Sequence, residues 1–358
     1  MFTQALPGGF CARWVMGRYD AMALTLKQLG ALAGVHASTV ARVLNGDPDQ
    51  RVSAEVRQRI LKLAAEHHYQ PNRIARSLRT KRSAVVGALI PDIANPFFAL
   101  VFRGIEDALA KRDFTVILAN TDDQPEREAN GLAMMQGRQV DGLILATARR
   151  CDPAIEALAT LGTPFVLVNR HTEPITPNVV APDDFGGAVT AVEYLLTLGH
   201  RRIAHIAGSD AVSTGYARQA GYLAALQRHH VAHDPALLVE GNYRESGGYE
   251  AMRRLLHLES PPTAVFAVND LAALGALRAM REAGVRSPEQ VSIIGFNDLT
   301  IATQTSPQLT TMRLPLHEMG ALAAERLLAQ ALGEQTPTEP IILPVSLIIR
   351  ESVGPVPA

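Results

Sequence analysis

From Ala84 onward the sequence alternates short apolar runs with amphipathic stretches, and it does so twice. VVGALIP, TVILAN, DGLILA and PFVLVN form the first series; RIAHIAG, LLVEGNY, AVFAVND and SIIGFND form the second. Short, continuous runs rich in Val, Ile and Leu suit strands covered on both faces. The stretches between them, such as FALVFRGIEDALAKR, carry a helical period. Such alternation builds parallel, doubly wound sheets, so the two series predict two α/β lobes. TMRLPLHEMGALAAERLLAQAL and IILPVSLIIR then cross between them. The expected lobes are residues 84–182 with 314–340, and residues 183–313 with 341–358.

Open α/β sheets bind ligands beyond the carboxyl ends of their strands. Asp92, Asn95, Phe97 and Phe98 follow the first run, and Asn169 and Arg170 follow the fourth. Thr214 and Arg218 follow the fifth, then come Tyr243, Asn269 with Asp270, and Asn297 with Asp298. Amides, carboxylates and guanidinium groups bind pairs of hydroxyls, and rings stack on the apolar face of a sugar. The pattern therefore suits a small polyol. Asp and Asn also cap helices. For Phe97, Arg218 and Asp270 the ligand role is the stronger reading; for Asn297 and Asp298 the two roles weigh equally.

The first part of the chain is different. Of 358 residues, the first 82 carry 13 Lys and Arg against 5 Asp and Glu; the remainder carries 21 against 30. A basic arm on an acidic body points to a polyanionic partner for the arm alone. Residues 1–23 mix Gly, Pro and isolated aromatics without period and are expected to be a disordered extension, with Met22 an alternative start. LTLKQLGALAG reads as a helix capped by Thr25 with Leu26, Leu29 and Leu32 on one face, ended at Gly34. A second helix is expected from Ala37 to Leu44, and a third from Ser53 to about His67 on a stripe of Val56, Ile60, Leu63 and Ala64. Two short helices joined at a glycine, then a longer one, make a helix-turn-helix unit.

The second helix has little on its outer face except Ser38, Thr39, Arg42 and Asn45. A recognition helix must enter a major groove about 12 Å wide, and small side chains permit close approach. Thr39 can meet a phosphate or a thymine methyl, Arg42 can pair with guanine in a bidentate manner, and Asn45 suits the cap or a phosphate. YQPNRIARSLRTKRS follows, with five Lys and Arg between Arg73 and Arg82 and little apolar surface. Leu78 stands among them as a candidate minor-groove wedge.

Residues 24–83 resemble the DNA-binding headpiece and hinge of the lactose/galactose repressor family: AGVHASTVARVLNG resembles its recognition segment and PNRIARSL its hinge. The resemblance implies a headpiece over residues 24–70 and a hinge over 71–83. It implies that Ala37 and Ser38 read bases with Arg42 as a third, and that two hinges pair in the minor groove with Leu78 partly intercalated. Thr25, His36, Asn72, Arg73, Ala75 and Arg76 complete the expected DNA contacts. The chain departs from the family pattern at Gly30, His36, Ala41 and the acidic loop DPDQR; the cap and phosphate contact of the usual serine are either made by the imidazole of His36 or lost. From residue 84 on, NPFF, TGYARQAGYLAAL, AVFAVNDLAALGAL and SPEQVSIIGFND resemble the type I periplasmic-binding-protein-like domain of the same regulators. That implies an effector cleft lined by Asp92, Asn95, Phe97, Phe98, Arg170, Thr214, Arg218, Tyr243 and Asp270, to which Asn169 and Asp298 are added.

The expected protein is thus a cytoplasmic, ligand-controlled transcription factor, a repressor that binds a pseudo-palindrome as a homodimer, because one short helix supplies few contacts. Its effector is a sugar or sugar derivative, with a purine the other candidate. No enzyme motif of the GxxxxGK[ST], GxSxG, HExxH or GxGxxG kind occurs, so no catalytic activity, cofactor or metal is expected. Two distant cysteines, Cys11 and Cys151, argue against a disulfide framework. No apolar run approaches the roughly 18 residues of a membrane span. The alternatives are a solute-binding protein without a transcriptional role, which the basic arm disfavours, and an architectural DNA binder, which would not need a two-lobed body.

Overall fold

The computed structural model describes residues 24–44, 52–69, 82–176, 178–335 and 339–357. The chain divides into two compact units, Met1–Lys81 and Arg82–Ala358.

In the first unit, α1 (Leu26–Ala33), α2 (Ala37–Leu44) and α3 (Ala54–Glu66) pack around Leu29, Ala33, Val40, Val43, Ile60 and Ala64. Thr25 caps α1 in a reciprocal box with Gln28: the Gln28 N–H donates to Thr25 Oγ1 at 3.3 Å, and the Thr25 N–H donates to Gln28 Oε1 at 2.8 Å. Thr-x-x-Gln is a legible start signal. Gly34 ends the helix in the left-handed region at φ 67°. Leu32 corrects the expected stripe. It is 52 % exposed, and the buried face runs instead through Leu29, Gly30 and Ala33, because the helical turn sets Gly30 and Ala33 on one flank of Leu29 and Leu32 on the other.

The second unit holds the two expected lobes, each on a six-stranded sheet. The first comprises β1 (Val85–Ile90), β2 (Thr115–Asn120), β3 (Gly142–Leu145), β4 (Phe165–Val168), β5 (Val179–Pro182) and β11 (Ile341–Leu343), in the order β11-β5-β4-β3-β1-β2. The second comprises β6 (Ile203–Ala207), β7 (Leu238–Glu240), β8 (Ala264–Ala267), β9 (Ser292–Asn297), β10 (Thr310–Arg313) and β12 (Ser346–Ile348), in the order β12-β10-β9-β8-β6-β7. Every pairing is parallel except β10 with β12. The third crossing therefore falls between Leu343 and Ser346, not at residue 340: Ile341 pairs with Val180 of the first sheet. IILPVSLIIR holds two three-residue strands about a proline, too short for pattern to assign them to different sheets.

Strand order reverses between β1 and β3 in one sheet and between β6 and β8 in the other. The loops leaving these strands diverge there and open a crevice. In the first lobe, helices α4 (Pro96–Ala110) and α11 (Leu316–Leu332) cross so closely that a Cβ on Gly104 would lie 2.0 Å from the His317 carbonyl oxygen, and one on Gly320 2.0 Å from that of Val101. Gly104→Ala should force the helices apart and cost about 1–3 kcal/mol in urea denaturation; an unchanged midpoint would contradict this contact.

Candidate functional site

Loops from both lobes enclose a cleft of about 530 Å³, part of it open to solvent. After β1 come Asp92, Asn95, Phe97 and Phe98; Asn95 caps α4 by accepting from the Phe97 N–H at 3.0 Å, with Pro96 as first helical residue. Phe97 and Phe98 are buried edge to face, with centroids 4.9 Å apart. Asp123 follows β2, and Asn169 and Arg170 follow β4. From the second lobe come Thr214 and Arg218 on α8 (Ser213–Arg228), Asn242, Tyr243 and Arg244 after β7, Asn269 after β8, and Asn297 at the end of β9.

The three cleft arginines each face a carboxylate. Arg170 makes a forked contact with Asp123, and Arg244 lies 3.4 Å from Asp92 across the cleft. Arg218 is 97 % buried: Nε and Nη2 reach Asp184 Oδ1 at 2.8 and 2.7 Å, Nη1 donates to the Val268 carbonyl at 2.6 Å, and the guanidinium lies 3.9 Å from the Phe296 ring centroid. These contacts use three of its five N–H donors and leave two for a ligand. Burial pushes the Asp184 carboxyl up, against the pull of Arg218. Burial also raises the Tyr243 phenol, whose oxygen is 3.0 Å from Thr214 Oγ1.

Two observations mark this cleft as a place for a ligand. Asn169 Oδ1 and Asn297 Oδ1, one from each lobe, are buried without a hydrogen-bond partner, and a buried, unpartnered carbonyl is costly. Five lining residues also hold positive φ: Asp123 at 57°, Asn169 at 67°, Asn242 at 53°, Tyr243 at 56° and Asn297 at 127°. Such strain collects at binding sites, where surrounding structure imposes it.

Nine of the eleven positions expected at the effector come together in the lining: Asp92, Asn95, Phe97, Phe98, Asn169, Arg170, Thr214, Arg218 and Tyr243. Asp270 and Asp298 do not join them. Asp270 is fully buried at the start of α10 (Asp270–Glu282), where Oδ2 accepts from the Leu299 N–H at 2.7 Å and Oδ1 from the Thr311 hydroxyl at 2.5 Å. Asp298 pairs with Arg313 at 2.7 Å and Arg350 at 2.6 Å. Both carboxylates tie the second lobe together. Asn269 caps α10 through the Ala272 N–H at 2.8 Å while its Nδ2 holds the Tyr243 carbonyl at 2.9 Å, so it fixes the cleft wall. Asp123, Asn242 and Arg244 were not singled out by sequence; Asp123 does follow a strand, in TVILANTDD, and that position was its only signal.

The lobes also meet beyond the cleft. The Arg150 N–H donates to the Ala211 carbonyl at 3.0 Å, and its Nη1 to that of Asp210 at 3.1 Å. Its guanidinium lies 3.6 Å from the Tyr216 centroid, and the His171 N–H reaches Ser213 Oγ at 3.0 Å.

On the helix-turn-helix unit, His36, Ser38 and Arg42 are exposed, and Ala37 and Thr39 are half-buried. The imidazole does replace the missing serine cap: His36 Nδ1 accepts from the Ser38 N–H at 3.3 Å and lies 2.8 Å from Ser38 Oγ. Ala41 is buried, so its side chain packs inward. Asn45, Asn72, Arg73, Ala75, Arg76 and Leu78 lie outside the described residues, as does the extension over residues 1–23. Among the described residues no helix is long and apolar enough to cross a membrane.

Comparison with known proteins agrees with both halves. Residues 25–72 match the family of bacterial regulatory proteins, lacI family, and residues 192–353 match a periplasmic binding protein-like domain. The chain is 36 % identical over 335 residues to the HTH-type transcriptional regulator CelR of Thermobifida fusca, covering 92 % of this chain and 98 % of that one. It is 34 % identical over 336 residues to the HTH-type transcriptional repressor CytR of Escherichia coli K12, covering 94 % and 98 %. Among solved structures it is similar to the lac repressor dimer bound to operator and the anti-inducer ONPF, with TM-score 0.83, 28 % identity and coverage of 93 % and 99 %. It is also similar to a LacI family transcriptional regulator from Enterococcus faecium with bound ribose, with TM-score 0.68, 36 % identity and coverage of 76 % and 99 %. The chain belongs to the lacI family of bacterial transcriptional regulators.

Proposed function

We propose that this regulator is a repressor that binds a pseudo-palindromic operator as a homodimer and is controlled by a small sugar or sugar derivative held between its lobes. The observation that carries the effector reading is the pair of unpartnered amide oxygens, Asn169 Oδ1 on one lobe and Asn297 Oδ1 on the other. A ligand that satisfies both must present hydrogen-bond donors on two sides, as a polyol does. The faced carboxylates at Arg170, Arg218 and Arg244 balance the cleft charge, which favours a neutral ligand over an anionic one. Its rings, Phe97, Phe98 and Tyr243, give the apolar face of a sugar a surface to rest on.

On the DNA side, Arg42 stands exposed on α2 for a base edge. Arg42→Ala should cost about 1–3 kcal/mol of operator affinity and relax the preference at one base pair; a uniform loss on all sequences would make it a phosphate contact instead. The whole reading is tested by fluorescence anisotropy of the full chain on DNA from upstream of its own gene, across salt, with a panel of sugars and purines. Tight, selective binding that one sugar shifts supports it. Weak, unselective binding that fades steeply with salt and ignores every compound overturns it.

A further inference from the structure

The effector domain begins at the end of the strongly basic segment, and the few residues there are tied down with unusual completeness. The carboxylate of Asp141 accepts two successive backbone N–H groups, Ser83 at Oδ1 (2.9 Å) and Ala84 at Oδ2 (2.7 Å). The Asp141 N–H in turn donates to the Val85 carbonyl at 2.8 Å, and the Ala84 carbonyl accepts from the Thr115 N–H at 3.0 Å. Ser83 Oγ accepts from the Val85 N–H at 3.2 Å. Ala84 is also held at φ 55°, a region that a residue with a side chain adopts when its surroundings impose it. A charged acceptor on consecutive N–H groups is a strong fixture.

Asp141 immediately precedes β3, and β3 is hydrogen-bonded to β1, with Val86 opposite Gly142. At their carboxyl ends the same two strands lead into Asp92 at the cleft and Arg150 at the lobe contact. The chain's entry point and two groups that meet the second lobe are thus mounted on opposite ends of one pair of strands. A lobe can turn an attached arm only if the root of the arm does not swivel.

We propose that Asp141 is a positioning residue for allosteric control: it fixes the root of the DNA-binding arm to the first lobe, so that effector-driven lobe movement reaches DNA. This rests on the effector-controlled reading above. Neither Asp141 nor Ala84 lines the cleft, so the proposal separates effector binding from effector response.

The test uses the full chain with ribose and cellobiose as probes. Effector affinity comes from calorimetry, folding from thermal melting, and coupling from the ratio of operator Kd with and without saturating sugar. Asp141→Asn keeps the shape but sets an NH2 group against one of the two backbone donors. The expected result is an effector Kd within twofold of the parent and a coupling ratio reduced at least fivefold. Ala84→Gly keeps every hydrogen bond yet frees the backbone to leave φ 55°; it should reduce coupling in the same direction by a smaller factor, and it serves should Asp141→Asn fail to fold. A responsive parent with equally responsive variants, or a coupling loss that only mirrors weaker sugar binding, overturns the anchor alone. A parent that binds neither sugar, or whose DNA binding neither sugar moves, overturns the effector reading for these sugars and the anchor with it.

Discussion

Replacing Arg218 with alanine should abolish the effector response and also destabilise the effector domain by about 3–5 kcal/mol. The second effect follows from Asp184, which is buried and has Arg218 as its ion-pair partner. Without Arg218, Asp184 is an uncompensated buried charge or must take up a proton, and its carboxyl is already pushed up by burial. The variant also loses the Val268 contact and the packing over Phe296. Removing both partners separates the two effects, since an apolar pair of similar volume is often as stable as the ion pair. Arg218→Met with Asp184→Leu should recover most of the stability in urea denaturation and none of the effector response, while DNA binding by the folded variant persists. A single variant that loses less than about 1 kcal/mol would mean that the pair is better solvated than its burial implies. A single variant that still responds would remove Arg218 from the site.

Much of this was legible in sequence because it depends on period and punctuation. The bounds of α2, Ala37 to Leu44, follow from Gly34 on one side and the apolar spacing on the other. The strand runs announced both sheets because parallel strands covered on both faces are continuously apolar. Side-chain direction at strand ends was not legible. Asn297 and Asp298 are adjacent and chemically alike; sequence weighs cap and ligand equally for each, and places only Asp298 in the cleft. The chain bends sharply there, at φ 127° and then 57°; one amide lines the cleft and the next carboxylate pairs with Arg313 and Arg350. Asp270 misled for the same reason: Thr311 and the Leu299 N–H, both far along the chain, claim its oxygens. The second crossover strand, Ser346–Ile348, and the exposure of Leu32 were likewise set by partners rather than by pattern.

His205→Phe should remove an acid-sensitive element of stability. His205 lies on β6, fully buried, stacked on Phe266 with centroids 4.8 Å apart, and its Nδ1 donates to the Phe266 carbonyl at 2.9 Å. Its Nε2 is buried without a partner, and Arg218 adds an unfavourable charge. Burial first, and Arg218 with it, pull its pKa down to about 4, against about 6.5 unfolded. The folded chain thus resists a proton that the unfolded chain accepts. This stability is complete above pH 6.5 and is lost as pH falls through that value toward 4. Asp270 works in the opposite sense. Burial raises it to about 6, so its contribution is present below the unfolded value near 3.9 and is lost as pH rises through 6. Between pH 7 and pH 5 Asp270 offsets only part of the His205 loss, His205 costing about 2 kcal/mol and Asp270 returning about 1 kcal/mol. Each single substitution should therefore expose the other. Relative to the parent, His205→Phe should gain about 2 kcal/mol on going from pH 7 to pH 5, and Asp270→Asn should lose about 1 kcal/mol, both read from urea midpoints at the two pH values. If His205→Phe tracks the parent at both, the imidazole is reached by water in the folded state, and the closed packing of β6 against Phe266 is wrong.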